Sequence, residues 1–265
     1  MIPEISLPPV ITLGPVPSTN AFALHLPDLP AIPEFTVWQT HCQTAGRGQG
    51  DNRWESEPGQ NITCSILLHP DFLPARNQFE LSQAIALAVC RMLDSFTTDV
   101  TVKWPNDIYA GQRKIAGILI ENRLTGKRIV SSVIGIGLNV NQQRFLSDAP
   151  NPVSLSQLTG RTYDLKAMTL LLQRHIAEAC MQLRQRYAEG SDGNGLQADY
   201  LNHLYRFGTW HPYLADGRVF EGRIAGVTPE GYLQVTLRDG SLRQFDLKEI
   251  SFLPSQPMAC DLTFH

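Results

Sequence analysis

Residues 113–141, RKIAGILIENRLTGKRIVSSVIGIGLNVN, carry the pattern that decides the fold. Two apolar runs, 115–121 and 129–140, predict a pair of β-strands joined by a tight turn. Glycines interrupt both runs, at Gly117, Gly135 and Gly137. Glycine inside a buried strand is typical of places where another group approaches the backbone closely, so we expect such an approach at Gly135 and Gly137.

The sequence around this pair mixes helices with strands. Apolar patterning predicts strands over 35–39, 62–68 and 100–104 and helices over 79–96 and 166–187. The elements do not alternate strictly as strand and helix, which favours an α+β fold over a doubly wound one.

The two ends of the chain differ from this middle part. Prolines break residues 1–17, which predicts an extended arm, and either Ser18 or Thr19 is placed to cap a short helix. From about residue 209 onward, short alternating runs separated by turn residues predict a small β-barrel. We therefore expect two domains, residues 1–210 and 211–265.

Composition and charge exclude several classes of protein. With 43% hydrophobic and 18% charged residues, the chain can bury a core, and its net charge of −3 gives no footprint for nucleic acid. No Lys or Arg precedes Arg47, which argues against a secretory signal and a basic DNA-reading head. No apolar run is long enough to cross a membrane, and five scattered cysteines give no zinc or disulfide pattern. We expect a cytoplasmic protein.

The first candidate for chemistry is the loop over 43–54, QTAGRGQGDNRW. Its alternate glycines would let a ligand approach the main chain, and exposed N–H groups with Arg47 and Arg53 suit an anion. The alternative is a mobile, glycine-rich surface loop without such a role.

Two further candidates lie at strand ends. The segment Lys103-Trp-Pro-Asn-Asp107 brings together a lysine for phosphate and a carboxylate for Mg²⁺, although it also reads as an ordinary Asn-Asp turn. Lys114 directly precedes an apolar strand, either aimed into a site from the end of the sheet or simply solvated. No GxGxxG or GxxxxGK[ST] motif occurs, so a nucleotide site here is of another kind.

The order and spacing of these motifs are more specific than any one of them. The chain resembles biotin protein ligases, also called biotin–[acetyl-CoA-carboxylase] ligases, in five ordered segments: Ser18–Asn20, Gln43–Gly48, Lys103–Asp107, Arg113–Leu119 and Gly135–Asn141. The resemblance implies a central mixed sheet with flanking helices, as in class II synthetases, followed by an SH3-like C-terminal barrel.

The resemblance also implies a reaction with two steps. The carboxylate of biotin attacks the α-phosphate of ATP, which gives biotinyl-5′-AMP and pyrophosphate, with Mg²⁺ accompanying ATP. A lysine of a biotin carboxyl carrier protein or domain, of acetyl-CoA carboxylase or a related carboxylase, then displaces AMP. No prosthetic group, nucleic acid or membrane takes part, and family analogy suggests a homodimer.

Roles for individual residues follow from the same resemblance. The expected catalytic residues are Lys114, Arg47, Lys103 and Asp107, with Asp107 also the expected Mg²⁺ ligand. Expected biotin-binding residues are Ser18, Thr19, Asn20, Gln43, Gly46, Arg47, Lys114 and Gly117. Expected residues for ATP and the adenylate are Arg47, Gly48, Gln49, Trp54, Lys103, Asn106 and Asn139.

The chain departs from the family pattern at two places. Many members have Gly-Arg-Gly-Arg in the loop, whereas Gln49 stands here in place of the second arginine. Members that also act as repressors carry a winged-helix domain in front, and the short arm here leads us to expect a ligase without repressor activity. The alternatives are a lipoate or octanoate ligase of the same superfamily, a biotin-responsive repressor, and a non-catalytic biotin-binding protein.

Overall fold

The computed structural model describes residues 6–50, 52–146, 151–190 and 194–254. Contacts divide the chain into two compact units at Tyr205/Arg206. The first unit contains a seven-stranded mixed sheet with helices, and the second contains a five-stranded antiparallel sheet. This architecture confirms the predicted α+β class.

In the part of the first unit that the structure describes, there are seven strands and five α-helices. The strands are β1 (Val10–Leu13), β2 (Val37–Thr40), β3 (Ile62–Leu68), β4 (Val100–Lys103), β5 (Asp107–Ala110), β6 (Arg113–Thr125) and β7 (Arg128–Leu138). The helices are α1 (Thr19–Leu24), α2 (Gln78–Leu93), α3 (Leu155–Thr159), α4 (Leu165–Ala188) and α5 (Asn194–Asn202). Their order in the sheet is β1-β2-β3-β7-β6-β5-β4, with β1 parallel to β2 and every other pair antiparallel.

The predicted pair of strands forms the centre of this sheet. Strands β6 and β7 pair along most of their length. On its other side, β7 pairs with β3 over the whole length of β3. Helices α2 and α4 pack together and contribute many of the fully buried side chains, including Leu87 and Leu172. Helix α1 contacts β3 and β7, and the side chain of Ser18 caps its N-terminus by accepting a hydrogen bond from Ala21 N.

The structure differs from the sequence prediction at three elements. The predicted extended arm contains β1, which adds a parallel edge strand to β2. The turn after Lys103 leads at once into β5, which sequence patterning missed because Asn106-Asp107 is typical of a turn. Helix α3 was also missed because it is only five residues long, although Ser154 caps it in a capping box with Gln157.

The second unit contains β8 (Trp210–Ala215), β9 (Arg218–Val227), β10 (Leu233–Leu237), β11 (Leu242–Phe245) and β12 (Ser251–Phe252), in the order β11-β10-β9-β8-β12. Tyr213 and Phe245 are buried at its centre, and Phe245 stacks on Phe220 at 5.8 Å between ring centres. Among the described residues, no helix is both long and apolar enough to cross a membrane.

Replacing Leu87 with alanine tests the core between α2 and α4. Leu87 is 1% exposed, so we expect Leu87→Ala to lower the free energy of unfolding by about 2–5 kcal/mol through lost burial and a cavity. Chemical denaturation measures this change. Leu170→Ala on α4 is the control, because Leu170 is 45% exposed and we expect its truncation to cost less than about 0.5 kcal/mol. Equal losses in the two variants would contradict the assigned core.

Candidate functional site

A row of small and charged residues crosses one face of the large sheet. The strand register places Asp107 opposite Gly117, Gly117 opposite Gly137, and Gly137 opposite Thr63. The row therefore runs over β5, β6, β7 and β3. Because side chains alternate between the faces of a strand, the same face continues along β6 at Leu119 and Glu121.

A β-bulge directs Lys114 onto this face. Ile115 of β6 has no partner on β5, and an extra residue of this kind shifts the alternation of the side chains around it. Lys114 Nζ lies 2.5 Å from Asp107 Oδ1 and 5.7 Å from the centre of the Trp54 ring. The side chains of the ion pair are 22% and 21% exposed, so solvent screens the pair only partly.

The indole of Trp54 lies on the glycines of the row. A Cβ atom at Gly137 would overlap the indole, and a Cβ atom at Gly117 would lie 3.1 Å from Trp54 Cζ3. The overlap at Gly137 confirms the close approach to the backbone that the sequence predicted there, and the contact at Gly117 is an addition from the structure. The contacts bring the glycine-rich loop, β6 and β7 together around Lys114.

The glycine-rich loop folds back on itself over 46–54, all of which the structure describes except residue 51. Trp54 N donates to Gly46 O at 3.0 Å, and Gly48 N donates to Asn52 O at 2.8 Å. A Cβ atom at Gly46 would overlap the carbonyl oxygen of Trp54, so this turn back requires glycine there. We call this segment the glycine hairpin.

A second polar cluster connects α1 with β3 and with the start of the loop. Thr19 N donates to Gln43 Oε1 at 2.9 Å, and Ser65 Oγ lies 2.7 Å from Thr19 Oγ1. Ser65 Oγ also lies 2.5 Å from Asn20 Oδ1, and Asn20 Nδ2 donates to Glu121 Oε2 at 2.9 Å. We call Thr19, Asn20, Gln43 and Ser65 the α1 cluster. It brings together three predicted biotin-binding residues, and Ser18 precedes them at the helix cap.

The structure places Arg47 at the α1 cluster. Arg47 Nη2 lies 3.0 Å from Glu121 Oε1. Glu121 follows Gly117 by four residues along β6, a separation of about 13 Å between backbones. The structure therefore groups Lys114, Asp107, Gly117 and Trp54 at one end and Arg47 at the other.

In three of the predicted adenylate-binding residues, one buried polar atom of the side chain forms no hydrogen bond with any described residue. These atoms are Gln49 Oε1, Trp54 Nε1 and Asn139 Oδ1. Asn139 is 3% exposed, and its other amide atom, Nδ2, donates to Val153 O at 3.2 Å. Because an unsatisfied buried polar atom costs about 1–3 kcal/mol, each of them calls for an explanation such as a bound polar ligand.

The remaining predicted residues lie where β4 turns into β5. Asn106 Nδ2 donates to Ile118 O at 2.7 Å, and Ile118 N donates to Asn106 O at 2.9 Å, so this turn is fastened to β6. Lys103 Nζ lies 5.2 Å from the centre of the Tyr109 ring. These contacts place the turn beside the Lys114–Asp107 ion pair.

Two further kinds of site can be judged from the described residues near the row, a cysteine thiolate and a metal site built from several side chains. Burial raises the pKa of the Cys64 thiol on β3 to about 12, so this thiol is neutral near pH 7. In the part of the chain that the structure describes, no group of three or more His, Cys, Asp or Glu side chains could hold a metal ion.

Comparison with family models matches residues 16–139 to the biotin/lipoate A/B protein ligase family. The match begins just before the α1 cluster and ends at Asn139, so it includes both groups of site residues.

Among curated proteins, the biotin–[acetyl-CoA-carboxylase] ligase of Paracoccus denitrificans is 31% identical over 179 residues, which cover 63% of this chain and 70% of that protein. The bifunctional ligase/repressor BirA of Bacillus subtilis is 31% identical over 214 residues, or 78% of this chain. This chain spans 63% of the length of that relative.

Among solved structures, a biotin protein ligase from Aquifex aeolicus in complex with biotin and ATP superposes with a TM-score of 0.74. The alignment covers 93% of this chain and 99% of that chain at 24% identity. The two chains therefore share a fold.

Proposed function

Because the chain belongs to the biotin/lipoate A/B protein ligase family, we propose that it is an ATP-dependent biotin protein ligase. It would activate biotin as biotinyl-5′-AMP and transfer biotin to a lysine of a biotin carboxyl carrier domain of acetyl-CoA carboxylase or a related carboxylase. One observation carries the proposal: Trp54 of the glycine-rich loop lies on Gly117 and Gly137 beneath Lys114, which joins this loop to two of the recognised motifs.

Lys114 is the proposed charge at the reacting centre. In the first step a carboxylate oxygen of biotin attacks the α-phosphorus of ATP, and the bond to the pyrophosphate oxygen breaks. Two anions must meet for this to happen, and a fixed cation at their meeting point lowers the barrier where negative charge develops. Lys114 is held for this purpose by Asp107, and the indole of Trp54 beside it excludes water.

The α1 cluster is the proposed binding site for the ureido ring of biotin. An uncharged ring with donors and acceptors needs matched neutral partners, and Thr19 and Gln43 supply them together with Ser18. Asn20 has both amide atoms bonded to protein groups, so its proposed part is to hold this cluster in position.

The adenylate is proposed to bind on the Trp54 side of the site. Asn139 Oδ1 and Trp54 Nε1 are a buried acceptor and a buried donor, which suits the polar edge of adenine and the oxygens of the phosphate or ribose. Gln49 and Lys103 would complete the set.

Asp107 suits Mg²⁺ as a single protein ligand. Mg²⁺ usually keeps several waters and takes one or two carboxylates together with phosphate oxygens of the substrate, so one carboxylate next to bound ATP is a sufficient donor set. When bound, the ion would neutralise charge on the departing pyrophosphate. In the second step the amine of the acceptor lysine attacks the carbonyl carbon of the mixed anhydride, and AMP leaves with the bonding electrons of the broken C–O bond.

The matched family also includes lipoate ligases, so the acyl substrate needs its own test. We expect biotin to start exchange of labelled pyrophosphate into ATP, and lipoate and octanoate to leave the rate at background. Exchange that depends on lipoate or octanoate and not on biotin would replace this proposal with the alternative acyl ligase.

Asn139→Ala tests the proposed adenine contact. Removing the buried acceptor should raise the KM for ATP about tenfold, as expected for a lost hydrogen bond of about 1.4 kcal/mol. The dissociation constant for biotin alone, measured by calorimetry on the same variant, is the internal control and should stay within about twofold. A KM for ATP equal to that of the parent protein would contradict the contact.

A further inference from the structure

We propose that Glu121 is a positioning residue that holds the glycine hairpin against the α1 cluster through Arg47. This inference rests on the proposed function and adds a residue that none of the five motifs contains.

Glu121 has two partners from two different segments of the chain. Its Oε1 accepts from Arg47 Nη2 of the glycine hairpin at 3.0 Å, and its Oε2 accepts from Asn20 Nδ2 of helix α1 at 2.9 Å. One carboxylate therefore bridges the hairpin and the α1 cluster, while its own backbone is fixed by pairing with Val133 of β7.

The bridge closes a chain of hydrogen bonds around the start of the loop. From Glu121 the chain passes through Asn20 and Ser65 to Thr19, and it ends on Gln43, three residues before the hairpin begins. The first half of the glycine hairpin is therefore held at two points. Gln43, just before it, bonds to Thr19, and Arg47, within it, bonds to Glu121. A ligand bound between Trp54 and the α1 cluster would be covered by a hairpin fastened at this point.

Contacts with the sheet fix the side-chain amide of Asn20 in the position from which it donates to Glu121. A Cβ atom at Gly135 would lie 2.5 Å from Asn20 Oδ1, and Asn20 Nδ2 also donates to Leu119 O at 3.2 Å. The amide is therefore held flat on the sheet, with its donor directed at Glu121. The negative charge of Glu121 is what makes its other oxygen a strong partner for the guanidinium.

The ion pair between Arg47 and Glu121 fixes the position of the hairpin but adds little to the free energy of unfolding of the protein. The side chains of Arg47 and Glu121 are 49% and 25% exposed, and ion pairs exposed to this degree add little to folding stability. We therefore expect Glu121→Gln to fold normally. Its amide oxygen can still accept from Asn20, whereas the NH₂ group that replaces the other oxygen carries no charge and cannot accept from Arg47.

The first test is hydrogen exchange in the full chain without any ligand. The reporters are the amides of Gly48 and Trp54, whose hydrogen bonds close the hairpin. We expect Glu121→Gln to speed their exchange about fivefold, because the hairpin opens more often. Glu178→Gln is the matched control, since Glu178 forms an ion pair with Arg174 on α4. Unchanged exchange in Glu121→Gln would overturn the proposal.

The second test asks whether Glu121 acts through Arg47. The release rate of a non-hydrolysable biotinyl-adenylate analogue is measured for the parent, Glu121→Gln, Arg47→Ala and the double variant. We expect each single variant to release it about tenfold faster and the double variant to be no faster than Arg47→Ala. Multiplied effects in the double variant would overturn the proposal. If the parent protein binds no analogue, the proposed function fails, and hydrogen exchange still tests the bridge.

Discussion

Lys114→Ala should lower the rate of biotinyl-5′-AMP formation about 10³-fold. Lys114 supplies the positive charge at the place where the carboxylate and the α-phosphate meet, and removing one group that stabilises a developing charge costs about 10²–10³ in rate. The loss of its ion pair with Asp107 adds to this effect, because an unpaired carboxylate then repels both reacting anions. Release of pyrophosphate in a single turnover measures the change.

Lys166→Ala is the control for this variant. Lys166 is an exposed lysine at the start of α4, and the same truncation there should leave the rate within about twofold. Pyrophosphate release by Lys114→Ala at the rate of the control would show that Lys114 lies outside the reacting centre.

Gly137→Ala should lower the same rate about 10²-fold. The new methyl group would occupy the position of the Trp54 indole, so the ring must move away from Gly137 and from Lys114. Displacing a group that shapes the site by about 1 Å is enough for a loss of this size. The Tm of the variant should also be lower, because overpacking of a strand face lowers the free energy of unfolding by about 1–3 kcal/mol.

Two variants separate this steric effect from a general loss of folding. Gly14→Ala is the control, since a Cβ atom there meets nothing within 4 Å, and it should retain the parent rate. In a Trp54→Ala background the ring is absent, so adding Gly137→Ala should lower the rate by less than about twofold. A full 10²-fold loss in that background would contradict the contact between Trp54 and Gly137.

The periodicity of the sequence predicted the central elements of the fold well. Strand β3 occupies the predicted residues 62–68, and α2 and α4 lie within three residues of their predicted bounds. Their long apolar patterns specify burial directly. Strands β1 and β5 were missed because other signals dominate there. Prolines on both sides of β1 indicate an extended arm, and β5 begins at Asp107, within an apparent Asn-Asp turn.

The motifs predicted which residue types lie at the site, and the structure adds how they are arranged. Gly137 was identified as a point of close approach, but only the fold shows that Trp54 is the group that approaches and that its ring also contacts Gly117. Glu121 escaped notice because its significance comes from Arg47 and Asn20, which lie 74 and 101 residues away in the chain. The one available signal was a charged residue two positions after Leu119 and four after Gly117, at the end of the apolar run 115–121.

The mass of an acceptor protein tests the central claim most directly. The full chain is mixed with ATP, Mg²⁺, biotin and a biotin carboxyl carrier fragment, and the fragment is then weighed by mass spectrometry. We predict a gain of one biotinyl group on one lysine, which requires ATP and is lost in Lys114→Ala. An acceptor of unchanged mass with the parent protein, or equal labelling by Lys114→Ala, would contradict the account.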